Sequence, residues 1–182
     1  MSSRQAFLTY RDYVALPDDG RRYEILDGEL SVIPAPNPTH QRLLGALYRH
    51  LHAHVTAHGL GEVILSPLDV ILTDTTIAQP DLVYLDRTRS GAVSSRGIEG
   101  PPTLAIEIVS PSTARIDRER KLRLYARHGV SYYWIVDHDA QTVEALVLGR
   151  EGYSLAVRVS GTATVDLPPF DGLALPLASL WR

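Results

Sequence analysis

The chain contains no cysteine and a single lysine, against seventeen arginines. Without thiols there is no disulfide framework, no thiolate metal site and no cysteine nucleophile, which excludes zinc fingers and cysteine hydrolases together. No apolar run reaches the length of a membrane span, and the opening residues Met1-Ser-Ser-Arg-Gln5 lack a signal-peptide core, so a cytoplasmic protein is expected. Internal repeats, low-complexity tracts and dividing linkers are also missing. No Gly-rich phosphate loop, Gly-x-Ser-x-Gly elbow or dinucleotide fingerprint is present, which leaves nucleotide hydrolases, serine hydrolases and dehydrogenases without support. A net charge of −3 argues against bulk adhesion to nucleic acid but leaves room for a local basic patch.

What is there suits one domain over residues 1–182: 45% hydrophobic residues can bury a continuous core without staples. Residues 9–15 read as a short helix stopped by the turn cluster Pro17-Asp-Asp-Gly20. Asp27-Gly28 joins two strand-like runs, 22–26 and 29–33, as a hairpin, and Pro34, Pro36 and Pro38 end the second run. Between residues 39 and 58 the spacing of Leu43, Leu44, Leu47, Leu51 and Val55 predicts a long helix, stopped by Gly59. Strand patterns follow at 61–65, 68–72, 82–85 and 104–109. A second helix is predicted over 116–128, stopped by Gly129, before further strands at 132–136, 143–148 and 153–159. The order predicts an α+β fold: a mixed central sheet flanked by helices, opened by the hairpin and closed by an antiparallel meander, with the tail packed across the body.

The chemistry gathers at three positions. Asp81 stands at the mouth of the apolar strand Leu82-Val-Tyr-Leu85, after Pro80. Glu107 interrupts Leu104-Ala-Ile-Glu-Ile-Val109, where alternation puts it on the face of Ala105 and Val109. An uncompensated buried charge costs several kcal/mol, so Glu107 must be paired, bind a cation or face a cavity. If the two strands are neighbours, both carboxylates can share a divalent ion; otherwise Asp81 caps a turn and Glu107 pairs with an arginine. Lys121 lies one turn before Tyr125, on the inner edge of the second helix, where it either balances these acids or lies along a solvated flank. A rival site is the ladder His50, His54, His58, whose i, i+4 spacing aligns imidazoles for zinc. It lacks the glutamate of His-Glu-x-x-His, however, and suits a polar helix surface.

The blocks Tyr23-Glu-Ile-Leu-Asp-Gly-Glu-Leu30, Pro36 and His40, Gln79-Pro-Asp-Leu82, Ala105-Ile-Glu-Ile-Val-Ser-Pro-Ser-Thr113, then Asp117, Lys121 and Tyr125, and finally Gly129-Val-Ser-Tyr-Tyr-Trp-Ile-Val-Asp137 occur in this order. Together they resemble the Uma-type restriction endonuclease family of the PD-(D/E)xK nuclease superfamily, from about Thr9 to Leu180. The resemblance implies a restriction endonuclease-like fold and cleavage of DNA phosphodiesters with Mg²⁺, or Mn²⁺ in its place. It assigns Asp81 and Glu107 as the two acids, with the Ile108 carbonyl as a further metal ligand. The superfamily's usual lysine position is Val109 here, so Lys121 is its displaced candidate. Glu29 matches an additional N-terminal acid, while His40, Gln79, Arg87 and Arg115 are expected at the substrate, with Arg89 and Arg96 in nearby loops. A homodimer is expected by analogy. The alternative is a nuclease-fold module in which the same residues form an ion network, and which binds DNA or a protein partner without cutting.

Overall fold

In the computed structural model, which describes residues 7–182, a short helix α1 (Tyr10–Val14) precedes a hairpin of β1 (Arg22–Leu26) and β2 (Glu29–Ile33). Asp27 and Gly28 adopt φ of 53° and 77°, the left-handed pair of a tight hairpin turn, and fix Glu24 opposite Ser31 and Leu26 opposite Glu29. The long helix α2 (Pro38–His58) begins where Pro38 needs no hydrogen-bond partner and the Asn37 side chain accepts the His40 N–H at 2.8 Å. It ends at Gly59, which is left-handed at φ 59°. Leu43, Leu44, Leu47, Leu51 and Val55 form its buried stripe, as their spacing requires.

Four strands follow: β3 (Gly61–Leu65), β4 (Val70–Thr73), β5 (Thr76–Ala78) and β6 (Leu82–Asp86). Two short strands, β7 (Val93–Ser94) and β8 (Gly97–Glu99), precede the central β9 (Leu104–Val109). The expected second helix is divided into a π-helical turn, Ile116–Lys121, and α3 (Leu122–Arg127). It leads to β10 (Tyr132–Asp137) and the meander of β11 (Thr142–Gly149) and β12 (Gly152–Ser160). The strands do not form one central sheet. Apart from a two-stranded pair in the tail, Thr164–Val165 with Leu175–Pro176, they separate into two six-stranded sheets, ordered β2-β1-β5-β4-β8-β7 and β12-β11-β10-β9-β6-β3. Each is mixed, with β4 parallel to β8 in the first and β9 parallel to β10 in the second.

β9 is covered on both sides, so all six of its residues are buried. Leu104, Ile106 and Ile108 pack into the main core with α2 and with Phe170, Leu177 and Leu180 of the tail. Ala105 and Val109 turn to the other side, against Leu26 of β1 and Leu124 and Tyr125 of α3. Glu107 lies between them on that second side. Each aliphatic side chain on the α2 face contributes about 2 kcal/mol by burial, enough together to offset the several kcal/mol that enclosing a carboxylate costs. Among the described residues, no helix is long and apolar enough to cross a membrane.

Candidate active site

β6 and β9 run antiparallel with Leu82 opposite Ile106, so one step further Asp81 stands across from Glu107, both on the face toward the first sheet. Glu24 enters from β1, on the same face of its strand as Leu26. Lys121, the last residue of the π turn, reaches all but Asp81 of the local acids. Its Nζ is 2.9 Å from Glu24 Oε1, 3.0 Å from Glu107 Oε1 and 3.8 Å from Asp117 Oδ1.

Three of these carboxylates share one arrangement, in which a single oxygen takes two donors. Glu107 Oε1 accepts from Lys121 and from the Tyr125 hydroxyl at 2.7 Å. Asp81 Oδ2 accepts the Ile108 backbone N–H at 2.8 Å and lies 3.1 Å from His40 Nε2. Glu24 Oε1 accepts the Gln79 backbone N–H at 2.7 Å besides Lys121. The second oxygen of each has no hydrogen-bond partner among the described residues. Nor are those oxygens sealed: the only buried side-chain polar atoms lacking a partner among the described residues are His40 Nδ1 and Gln79 Oε1. The free carboxylate oxygens belong to residues that line a cavity of about 240 Å³, large enough to hold several waters.

Four acids here face one ammonium. Burial pushes the Glu107 carboxyl well above the ordinary carboxylate range; Lys121 pulls it down, and Asp117, Asp81 and Glu24 push it further up. Burial likewise raises Asp117, against the pull of Lys121. For Lys121 burial favours the neutral amine, yet Glu107, Glu24 and Asp117 overcome it and hold the ammonium well above its ordinary value. These acids therefore hold it in the ammonium form. The cluster of carboxyl groups, whose charged forms burial disfavours, and their hard oxygens suit a divalent cation such as Mg²⁺. Among the described residues no three acids or histidines stand close enough to one point to ligate an ion together. An ion placed here would therefore take no more than two carboxylates from these residues and would need its remaining ligands from elsewhere.

The structure gathers Asp81, Glu107, Ile108, Lys121, His40 and Gln79 around this cavity. Gln79, however, turns its amide away: Nε2 donates to Asp69 Oδ1 at 2.8 Å and to the Tyr13 hydroxyl at 3.1 Å. Glu29 does not join them. It pairs with Leu26 across the hairpin, about 7 Å nearer the turn than Glu24 at ~3.3 Å per residue, and Arg120 captures it at 2.8 Å. Arg87 and Arg115 do not line the cavity either. The Arg87 guanidinium lies over Gly59 at the end of α2, and Arg115 is solvent-facing beside Glu119. Arg89 is bound to the Pro101 and Pro102 carbonyls, and Arg96 to Glu99. The histidine ladder serves packing: His50 bonds Ser179 at 2.8 Å, while His54 is buried against Phe170 and His58.

Sequence reasoning missed Glu24 and Arg22, and gave no role to Asp117 or to the Ser110, Ser112 and Thr113 hydroxyls, all of which line the cavity. A signal for Glu24 existed: it is an acid amid Tyr23, Ile25 and Leu26, the same anomaly that marks Glu107.

The architecture is similar to that of a structure described as a "putative nuclease belonging to DUF820" from Anabaena variabilis, at a TM-score of 0.76 and 19% identity, over 96% of this chain and 97% of that one. The likeness defines the class, the α+β fold of that structure. The family follows from the sequence: residues 10–178 match Uma2, described as "Putative restriction endonuclease", and the chain belongs to that family. No curated protein matches the chain. Family membership supports a nuclease function with a nucleic-acid substrate.

Proposed function

We propose that the protein is a metal-dependent endonuclease that hydrolyses DNA phosphodiester bonds at the cavity between β1, β9 and the π turn. The observation carrying this reading is the shared arrangement of Asp81, Glu107 and Glu24, each with one oxygen held by two donors and the other open to the cavity. Asp81 and Glu107, with the Ile108 carbonyl, would hold Mg²⁺. When bound, the ion would polarise the scissile phosphate and lower the pKa of a coordinated water. Lys121, kept protonated by its acids, balances charge that develops on the phosphate oxygens. The free oxygen of Glu24 orients the attacking water and accepts its hydrogen bond. His40 and the Ile108 N–H fix the Asp81 carboxylate, and Tyr125 fixes Glu107. Arg22 and the Ser110 and Ser112 hydroxyls, on the cavity wall, supply donors for the substrate's phosphate.

A nuclease assay with Mg²⁺ or Mn²⁺, comparing the parent with Asp81→Asn, Glu107→Gln and Lys121→Ala, tests the site. Each substitution should lower cleavage by at least ~10²-fold, the range in which single electrostatic groups act. Undiminished cleavage in all three would sink the site assignment, and no cleavage by the parent on any nucleic acid would favour a binding module.

A further inference from the structure

Resting on the nuclease reading above, we propose that the π turn and α3 carry an arginine ridge that grips the sugar-phosphate backbone of DNA beside the catalytic cavity. Arg115, Arg120, Arg123 and Arg127 line one open groove of about 830 Å³ on the outer side of this helical segment. Ile116 lines both the groove and the cavity, so the two lie side by side.

The alignment has a geometric cause. A π turn closes on the fifth residue, which stacks Arg120 beside Arg115, and ordinary helical spacing then carries the row on through Arg123 and Arg127. The opposite side of the same turn sends Asp117 and Lys121 into the catalytic cavity. One irregular turn thus serves both surfaces.

Arg123 has no hydrogen-bond or ion-pair partner among the described residues. Arg115 is held by Glu119 at 3.5 Å and Arg127 by Asp27 at 2.8 Å, in pairs exposed enough that water screens them. A phosphate diester can replace those carboxylates, because the guanidinium donates charge-assisted hydrogen bonds to either oxyanion. Arg120 is engaged elsewhere, since it donates to the Leu26 carbonyl and pairs with Glu29, tying the hairpin to the helix. The gripping residues are therefore Arg115, Arg123 and Arg127. None of these three lines the catalytic cavity, so their loss should spare the chemistry.

The experiment compares the parent with an Arg115→Ala/Arg123→Ala/Arg127→Ala triple variant. Binding of a fluorescent DNA duplex is followed by anisotropy in Ca²⁺ over a series of salt concentrations, and hydrolysis of bis(4-nitrophenyl) phosphate in Mn²⁺ reads the catalytic centre alone. Circular dichroism checks that the variant is folded. DNA affinity should fall at least about tenfold, and the slope of log K against log salt should shrink by about 0.9 for each phosphate contact removed, with small-diester hydrolysis unchanged. Parent-like affinity and slope in the triple variant would overturn the ridge, as would a parent that binds neither duplex nor single-stranded DNA at low salt. A parent that binds DNA through the ridge but hydrolyses neither substrate leaves the ridge standing and removes the nuclease reading instead.

Discussion

Lys121 and Tyr125 converge on one oxygen of Glu107, at 3.0 and 2.7 Å, and this shared acceptor decides which way the carboxylate faces. Lys121 alone cannot do this, because its ammonium is divided among Glu107, Glu24 and Asp117. The phenol has no such division of labour. Burial, followed by the Glu107 charge, pushes its pKa well above the ordinary tyrosine value, so it stays a donor across any working pH. Replacing Tyr125 by Phe keeps the edge-to-face packing on Tyr133, whose ring centre is 5.1 Å away, and deletes only the hydroxyl. Groups that orient a metal's ligands typically change affinity by about 10–100-fold. Tyr125→Phe should therefore weaken Mn²⁺ binding by roughly that factor in calorimetric titration, with near-parental melting behaviour. Unchanged affinity would mean that the hydroxyl serves packing only.

Elements bring these residues together with uneven legibility in the sequence. Asp27-Gly28, the leucine stripe of α2 and the alternation in β9 each express a strong local rule, and each forms where that rule puts it. The three-residue strand β5 and the pair β7 and β8 are too short to show any period, and β5 and β8 are tied to β1 and β4 across long sequence separations. The same reason hides the division into two sheets. The π turn has no composition of its own. It is supported from outside, by the Tyr133 hydroxyl donating to the Asp117 carbonyl at 3.0 Å. The choice between Glu24 and Glu29 belongs to this scale too. Both glutamates lie in one sequence block and on one face of the hairpin, and only the register separates them: Ser31, across from Glu24, lines the cavity, whereas Leu26, across from Glu29, belongs to the core beside Arg120. Glu24→Gln should reduce DNA cleavage by roughly 10²-fold, while Glu29→Gln should leave it within about threefold of the parent. Measured kcat/KM values in the reverse order would return Glu29 to the active centre.

Across the whole molecule, the main core closes only when the tail folds back over α2, burying Leu167, Phe170, Leu175, Leu177 and Leu180. The Trp134 indole donates to the Pro168 carbonyl at 2.7 Å, and His50 meets Ser179 at 2.8 Å, so polar contacts fasten the same seam. This seam is expected to weaken in acid. Burial, helped by Arg49, lowers the His50 pKa below its ordinary 6.5. Burial and His58 lower His54 in the same direction, with only Asp166 opposing. Between those lowered values and 6.5 the unfolded chain binds more protons than the folded one, so stability present above about 6.5 is lost as pH falls. Glu107 and Asp117 act in the opposite sense. Their raised carboxyls favour the folded state at low pH and disfavour it as pH climbs through the raised values. The net slope mixes both effects, and a His50→Gln/His54→Gln variant separates them. Melting temperatures measured without divalent metal from about pH 8 to about pH 5 should fall less, or rise more, in that variant than in the parent. Parallel curves would show that the tail seam is indifferent to histidine charge.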